Sequence, residues 1–344
     1  MIAKRLLALA AVSALALTAC SSGSSAPTDA DCAKEEVFCV GLVTDTGKVD
    51  DKSFNQSAWE GAQAAATEAG GISKYIETID SKDYAANIAQ FTDKSYDVIV
   101  TVGFLMAEAT VTAAKEYPDT HFIGVDQFIG EEIANLTGLI FPEDQAGYAA
   151  GYLAGLLTTT NQLGQVLGLQ IPPVEKFAKG FEAGALAANP AVTVTTVYHP
   201  AADNAFNDPE WGAAEAAKQI AQGADVIFGA GGNTGNGALL EIAKSAGAGE
   251  SLYCIGVDTD QWNTVPQAQP CLVTSAMKLI TDGTKELVLS VKDGSIAGGN
   301  FVGKTGLAEY HDFASKIDAG IQDQVATVVA GLADGSIQTG VTLG

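Results

Sequence analysis

From residue 37 onward, short β-branched runs alternate along the chain with longer stretches rich in alanine. Compact apolar runs bounded by turn residues read as buried strands, and apolar positions spaced three and four apart read as helical faces. The predicted strands are 37–43, 75–79, 97–102, 121–125, 163–169, 192–198, 225–228 and 252–257. Between them, helices are predicted over 53–69, 144–157, 174–188, 210–222 and 236–246. Ser53 and Gln56 have the spacing of a capping box, which marks the start of the first helix. Ile280, Thr284, Leu287, Val288 and Val291 trace a further helical stripe, and Gly294 follows as a stop. Strand–helix alternation of this kind predicts an α/β chain with parallel sheets covered by helices on both faces.

One pattern occurs twice. Asp97-Val98-Ile99 leads through a helix to Ile123-Gly124-Val125-Asp126-Gln127, and Asp225-Val226-Ile227 leads to Ile255-Gly256-Val257-Asp258-Thr259-Asp260-Gln261. The repeat predicts two similar α/β lobes facing each other. In open parallel sheets ligands bind beyond the carboxyl ends of the strands. Those ends carry Thr44, Asp45, Gly103, Phe104, Asp126 and Asp258, with the glycine-rich run 229–232, and the two lobes would point them into one cleft.

The N-terminus changes the picture of where the chain resides. Lys4 and Arg5 precede the apolar run 6–17, and Leu17-Thr18-Ala19-Cys20 is similar to the lipobox of bacterial lipoproteins. Residues 1–20 are therefore expected to be a signal peptide, with Cys20 lipidated on the outer face of the cell membrane and 21–36 a flexible tether. Four further cysteines, Cys32, Cys39, Cys254 and Cys271, allow three disulfide connectivities in an exported chain. The pairing Cys32–Cys39 with Cys254–Cys271, which closes two short loops, is the expected one.

Charge and composition remove whole classes of function. The 344 residues hold 41 acidic and 18 basic side chains, a formal net charge of −23. Such a field repels phosphate backbones, so no nucleic acid is expected as a partner. The three His residues are dispersed and no Cys/His spacing suits a metal, so no metal or cofactor is expected. There is neither a Walker loop nor a Gly-x-Ser-x-Gly elbow, and nothing in the sequence marks an enzyme.

The stretch 43–56 is the densest in polar candidates and joins a strand end to a helix start. Phe54 within it either stacks on a flat ligand or plugs the core beneath the loop. Asn55 offers a donor and an acceptor suited to the edge of a heterocyclic base, or else faces water in a first helical turn. Asp126 and Asp258 end equivalent strands, where each carboxylate could accept from two neighbouring sugar hydroxyls. The same two residues could form the acid–base pair of a glycosidase. Lys278 stands out in a chain poor in cations, as a partner for a buried carboxylate, a donor to a ligand, or a solvated lysine.

Several of these stretches together resemble the basic membrane protein family. They are Asp45 to Gly61, Phe141 to Gly155, Gly180-Phe181-Glu182-Ala183-Gly184, Gly223 to Phe228, Gly256 to Gln261 and Ser275-Ala276-Met277-Lys278. Members of that family are lipoprotein substrate-binding components of ABC transporters, and those characterised bind purine nucleosides. The resemblance spans about residues 39–295 and implies the two-lobed type I periplasmic-binding-protein fold. In that fold the chain would cross between lobes near 141, 261 and 297, giving a first lobe of 37–141 with 262–297 and a second of 142–261 with 298–344. The implied ligand set has Phe54 and Phe206 sandwiching the base and Asn55 and Asp126 reading its edge. Asp258 and Lys278 would grip the ribose, with Asp45 and Gly232 lining the pocket. The implied partners are the permease and ATPase subunits of an importer, with the binding protein itself a monomer. A sugar or another small polar metabolite in the same fold is the alternative ligand, and a nucleoside or glycoside hydrolase the alternative activity.

Overall fold

The computed structural model describes residues 27–201 and 203–343. The expected signal peptide, with Cys20, lies outside them. The first half of the chain contains β1 (Cys39–Thr44), α1 (Phe54–Glu68), β2 (Ile72–Ile76), α2 (Tyr84–Thr92), β3 (Val98–Val102), α3 (Ala107–Glu116), β4 (His121–Val125) and β5 (Leu136–Ile140). After α4 (Glu143–Leu157) and β6 (Gln162–Leu167) come α5 (Pro172–Ala188), β7 (Thr193–Tyr198), α6 (Pro209–Ala221), β8 (Val226–Ala230) and α7 (Gly232–Lys244). The chain continues through β9 (Tyr253–Asp258), α8 (Gln261–Thr264), β10 (Leu272–Lys278), α9 (Ile280–Lys292), β11 (Gly299–Val302), β12 (Thr305–Leu307) and α10 (Ala319–Asp334). Among the described residues, no helix is long and apolar enough to cross a membrane.

Two six-stranded sheets result, in the orders β11-β5-β4-β3-β1-β2 and β12-β10-β9-β8-β6-β7. The first sheet is parallel throughout, and in the second only the short β12 runs antiparallel, against β10. Five strands of each sheet follow the same winding order, and the Ile-Gly-Val-Asp repeat occupies β4 in one and β9 in the other. Each sheet is covered on both faces, which is why its central strands are buried end to end. In the second lobe α4 and α5 approach unusually closely. A side chain at Gly147 or Gly151 would strike the backbone of α5, and one at Gly180 or Gly184 the backbone of α4.

The structure moves several expected boundaries. Strand β2 ends at Ile76, whereas 75–79 was predicted, because the chain turns at Glu77, whose carboxylate accepts from Val49 N and Lys48 Nζ. The expected first lobe included 262–297, but β10 pairs with β9 in the second sheet, tied further by the Cys254–Cys271 disulfide. The crossings thus fall between β5 and α4, between β10 and α9, and between β11 and β12. Part of the expected tether is also fixed. Cys32 is bonded to Cys39, and Asp29 pairs with Lys74 and Lys94, so the chain is held to the first lobe from about residue 28.

Candidate ligand-binding site between the lobes

The loop from β1 to α1 is built around one carboxylate. Asp51 accepts from the backbone N–H groups of Ser53, Asn55 and Gln56 at 2.9–3.1 Å, which satisfies the first turn of α1. Capping by Ser53 itself was the expectation. Its hydroxyl instead crosses the cleft and donates to Asp258 Oδ2 at 2.7 Å. Two more bonds carry the loop across: Asn236 Nδ2 donates to Asp51 O and Thr264 Oγ1 to Lys52 O, each at 2.7 Å. Gln261 Nε2 holds Asn236 Oδ1 at 2.7 Å, so the second-lobe side of this clasp is itself braced. The lobes are closed on each other.

Behind the clasp lies a cavity walled by residues of both lobes. All eight residues nominated from the sequence line it. Asp126 and Asp258 both have left-handed backbones, with φ of 61° and 64°, a conformation Asp adopts more readily than most residues. That bend aims both carboxylates inward from the ends of β4 and β9. Lys278 reaches between them from the end of β10, 2.6 Å from Asp126 Oδ2 and 3.7 Å from Asp258 Oδ1, its ammonium 4.6 Å from the centre of the Phe54 ring. Burial works against the charge of Lys278, but Asp126, Asp258 and Glu143 outweigh it and hold the ammonium firmly protonated. Burial also raises Asp258, against the pull of Lys278 and Ser53. Lys278 is 4% exposed, which disposes of its reading as a solvated lysine.

The other polar group of the cavity is uncharged or acidic. Asn55 is 3% exposed, and its Oδ1 is fully buried with no hydrogen-bond partner. A side chain at Gly47 would fall 2.5 Å from Asn55 Nδ2 and 3.5 Å from Asp45 Oδ1, so the amide and that carboxylate share one wall. Asp45 is pushed up to about 7, first by burial and then by Asp51 and Asp126. Asp126 Oδ1 is likewise buried and unpartnered. The expectation paired Asn55 with Asp126. The geometry instead groups Asp126 with Lys278 and Asp258, and Asn55 with Asp45.

Aromatic walls come from both lobes. Phe54 stands on the first, and Phe206 on the loop between β7 and α6 of the second. Phe206 lies against Gly168, where any side chain would collide with its ring, and its carbonyl accepts from Asn233 N at 3.0 Å. Lining residues missed in the sequence include Phe177, Val174 and Asp51. The first two lie in the opening turns of α5, beyond the segment 168–171 that follows β6, where the strand-end rule does not reach. The glycine-rich run ends β8 and leads into α7, which starts at Gly232, with φ of 56°, earlier than the expected 236.

Two parallel-sheet lobes closed over an amphipathic cavity define the type I periplasmic-binding-protein fold. Among solved structures, an ABC-transporter solute-binding protein from Aeropyrum pernix superposes with a TM-score of 0.79 at 23% identity, covering 88% of this chain and 92% of that one. A solute-binding protein from Agrobacterium vitis bound with α-D-tagatopyranose shares the fold at a TM-score of 0.62 and 15% identity, over 83% of this chain and 98% of that one. The chain belongs to the Bmp family, described as ABC transporter substrate-binding protein PnrA-like, whose model it matches over residues 38–307. It is 32% identical to a CD4+ T-cell-stimulating antigen of Listeria innocua, over 90% of this chain and 91% of the relative. It is 29% identical to the ABC transporter nucleoside-binding protein BmpA of Lactococcus lactis, over 97% and 98%. Basic membrane protein A of Borreliella burgdorferi matches at 32% over 71% of this chain and 69% of the relative.

Proposed function

We propose that this protein is a lipid-anchored extracytoplasmic receptor that captures purine nucleosides between its lobes and delivers them to the permease of an ABC importer. The observation that carries the reading is the pairing of aromatic walls from opposite lobes, Phe54 and Phe206, with unpartnered polar atoms between them. A planar base gains from stacking on both faces, whereas most sugars present one apolar face. Asn55 and Asp45 read the base edge. Asp126, Asp258 and Lys278 grip the ribose, since Asp126 Oδ1 is free to accept from a hydroxyl and the ammonium has donors to spare. Phosphate esters are excluded, because four carboxylates line the cavity against one ammonium.

The hydrolase alternative fits this arrangement poorly. A glycosidase pair needs one carboxyl free to give up a proton and the other free to attack or to activate water. Here Lys278 is salt-bridged to both. Anchoring rests on the lipobox at Cys20, and delivery to a permease on the family.

The test is a thermal-shift titration of residues 29–344, unfolded and refolded first to strip carried ligand. Nucleosides are expected to raise the melting point by mass action, and nucleotides and sugars to leave it unchanged. A shift with a sugar and none with any nucleoside would overturn the assignment.

A further inference from the structure

Asp45 is an unusual carboxylate for a binding site. It is 5% exposed, and no described side chain or backbone amide donates a hydrogen bond to it. No cation lies within salt-bridge distance among the described residues, in contrast to Asp126 and Asp258. The ionisable groups that face it are Asp51 from the loop before α1, Asp126 from the end of β4 and Tyr84 from α2, and none of these carries positive charge. Asp51, equally buried and likewise pushed up to about 7 by burial, differs in its bonding: three amide N–H groups already occupy its carboxylate oxygens, whereas those of Asp45 are open to the cavity. Gly103 makes the room that Asp45 occupies, since any side chain there would strike its carboxylate. The carboxyl group therefore faces the cavity with no described residue placed to balance a charge.

Resting on the nucleoside reading above, we infer that Asp45 binds ligand as a neutral carboxylic acid, donating its O–H to an acceptor atom of the base. Beside it stands the free amide of Asn55, so this wall offers a donor and an acceptor from each of two neighbouring side chains. Either a ring nitrogen or a carbonyl oxygen of a purine can take the Asp45 proton. Ionisation removes that donor and places an uncompensated charge against the base, so capture is linked to the protonation of Asp45.

The sign of the linkage is fixed. The free group titrates near 7, and ligand holds it protonated, so affinity is full below that value and is lost as pH rises through it. Complete linkage makes Kd about 30-fold larger at pH 8.5 than at pH 6. The experiment is titration calorimetry with inosine and adenosine at both pH values on the wild-type protein, Asp45→Asn and Asp45→Ala. Asparagine keeps the shape of the neutral acid and a donor at every pH. Asp45→Asn is expected to bind at pH 6 within a few-fold of wild type and to keep that affinity at pH 8.5, and Asp45→Ala to bind weakly at both. Wild-type affinity that is flat or rises with pH would overturn the inference, as would an Asp45→Asn variant with the wild-type pH profile. Absence of nucleoside binding by the wild type at pH 6 would instead sink the functional reading itself.

Discussion

Replacing Lys278 by Met tests whether the cavity's charge balance holds the lobes together. The substitution keeps most of the side chain's volume and removes an ammonium 2.6 Å from Asp126 and 3.7 Å from Asp258. At an effective dielectric constant near 20 the two attractions are worth about 6 and about 4.5 kcal/mol before desolvation and carboxylate repulsion are set against them. What decides the outcome is the state left behind. Two carboxylates, 8% and 6% exposed, lose the cation they share. Removing one partner from such a buried group costs about 3–5 kcal/mol. For a chain of this size that lowers the melting point by about 4–8 °C. With the ammonium gone, burial raises the Asp258 carboxyl in the folded protein without the opposing pull of Lys278. The deficit is then full above that raised value and shrinks as pH falls towards about 4. The assay is thermal unfolding of ligand-free wild type and variant at pH 8 and pH 5. Equal deficits at the two pH values, or none at either, would refute the reasoning.

The aromatic walls and the staples give two further expectations. Phe54→Ala and Phe206→Ala should each weaken inosine binding by about 5- to 150-fold, the range for loss of one base–aromatic stack, with cooperative unfolding retained. Calorimetric titration of each variant decides it, and unchanged affinity in both would remove them from the site. Replacing Cys254 and Cys271 together by Ala opens a loop of 17-residue separation and should cost about 3 kcal/mol. Urea unfolding would show this as a lower midpoint, and an unmoved midpoint would mean the surrounding buried packing alone holds that loop.

The doubled architecture was legible because the repeat around Asp126 and Asp258 reports the same βαβ unit twice, at positions buried for the same reason. Helices α1, α4, α5, α6, α7 and α9 were legible too, while α10 was not. The missed elements fail for different reasons. Strand β10, Leu-Val-Thr-Ser-Ala-Met-Lys, is buried along nearly its whole length, but Thr274 and Ser275 interrupt its apolar run, so neither alternation nor a continuous apolar stretch marks it. That miss displaced the second lobe crossing. The capping of α1 was misread because the Ser53 hydroxyl can either accept from a backbone N–H of its own helix or donate to a carboxylate, and only the approach of the second lobe supplies Asp258.

By itself, then, the sequence determined the class of fold, the family, and which residues stand at strand ends, since these follow from local periodicity and from spacing along one chain. The tertiary structure alone decided how those residues are grouped. Asp126 and Lys278 are 152 positions apart, and Ser53 and Asp258 are 205 apart. Their pairing depends on two separate lobes closing on each other. Whether Asp45 carries a charge was equally out of reach of the sequence, because burial and the absence of a donor are properties of the surroundings and not of the residue.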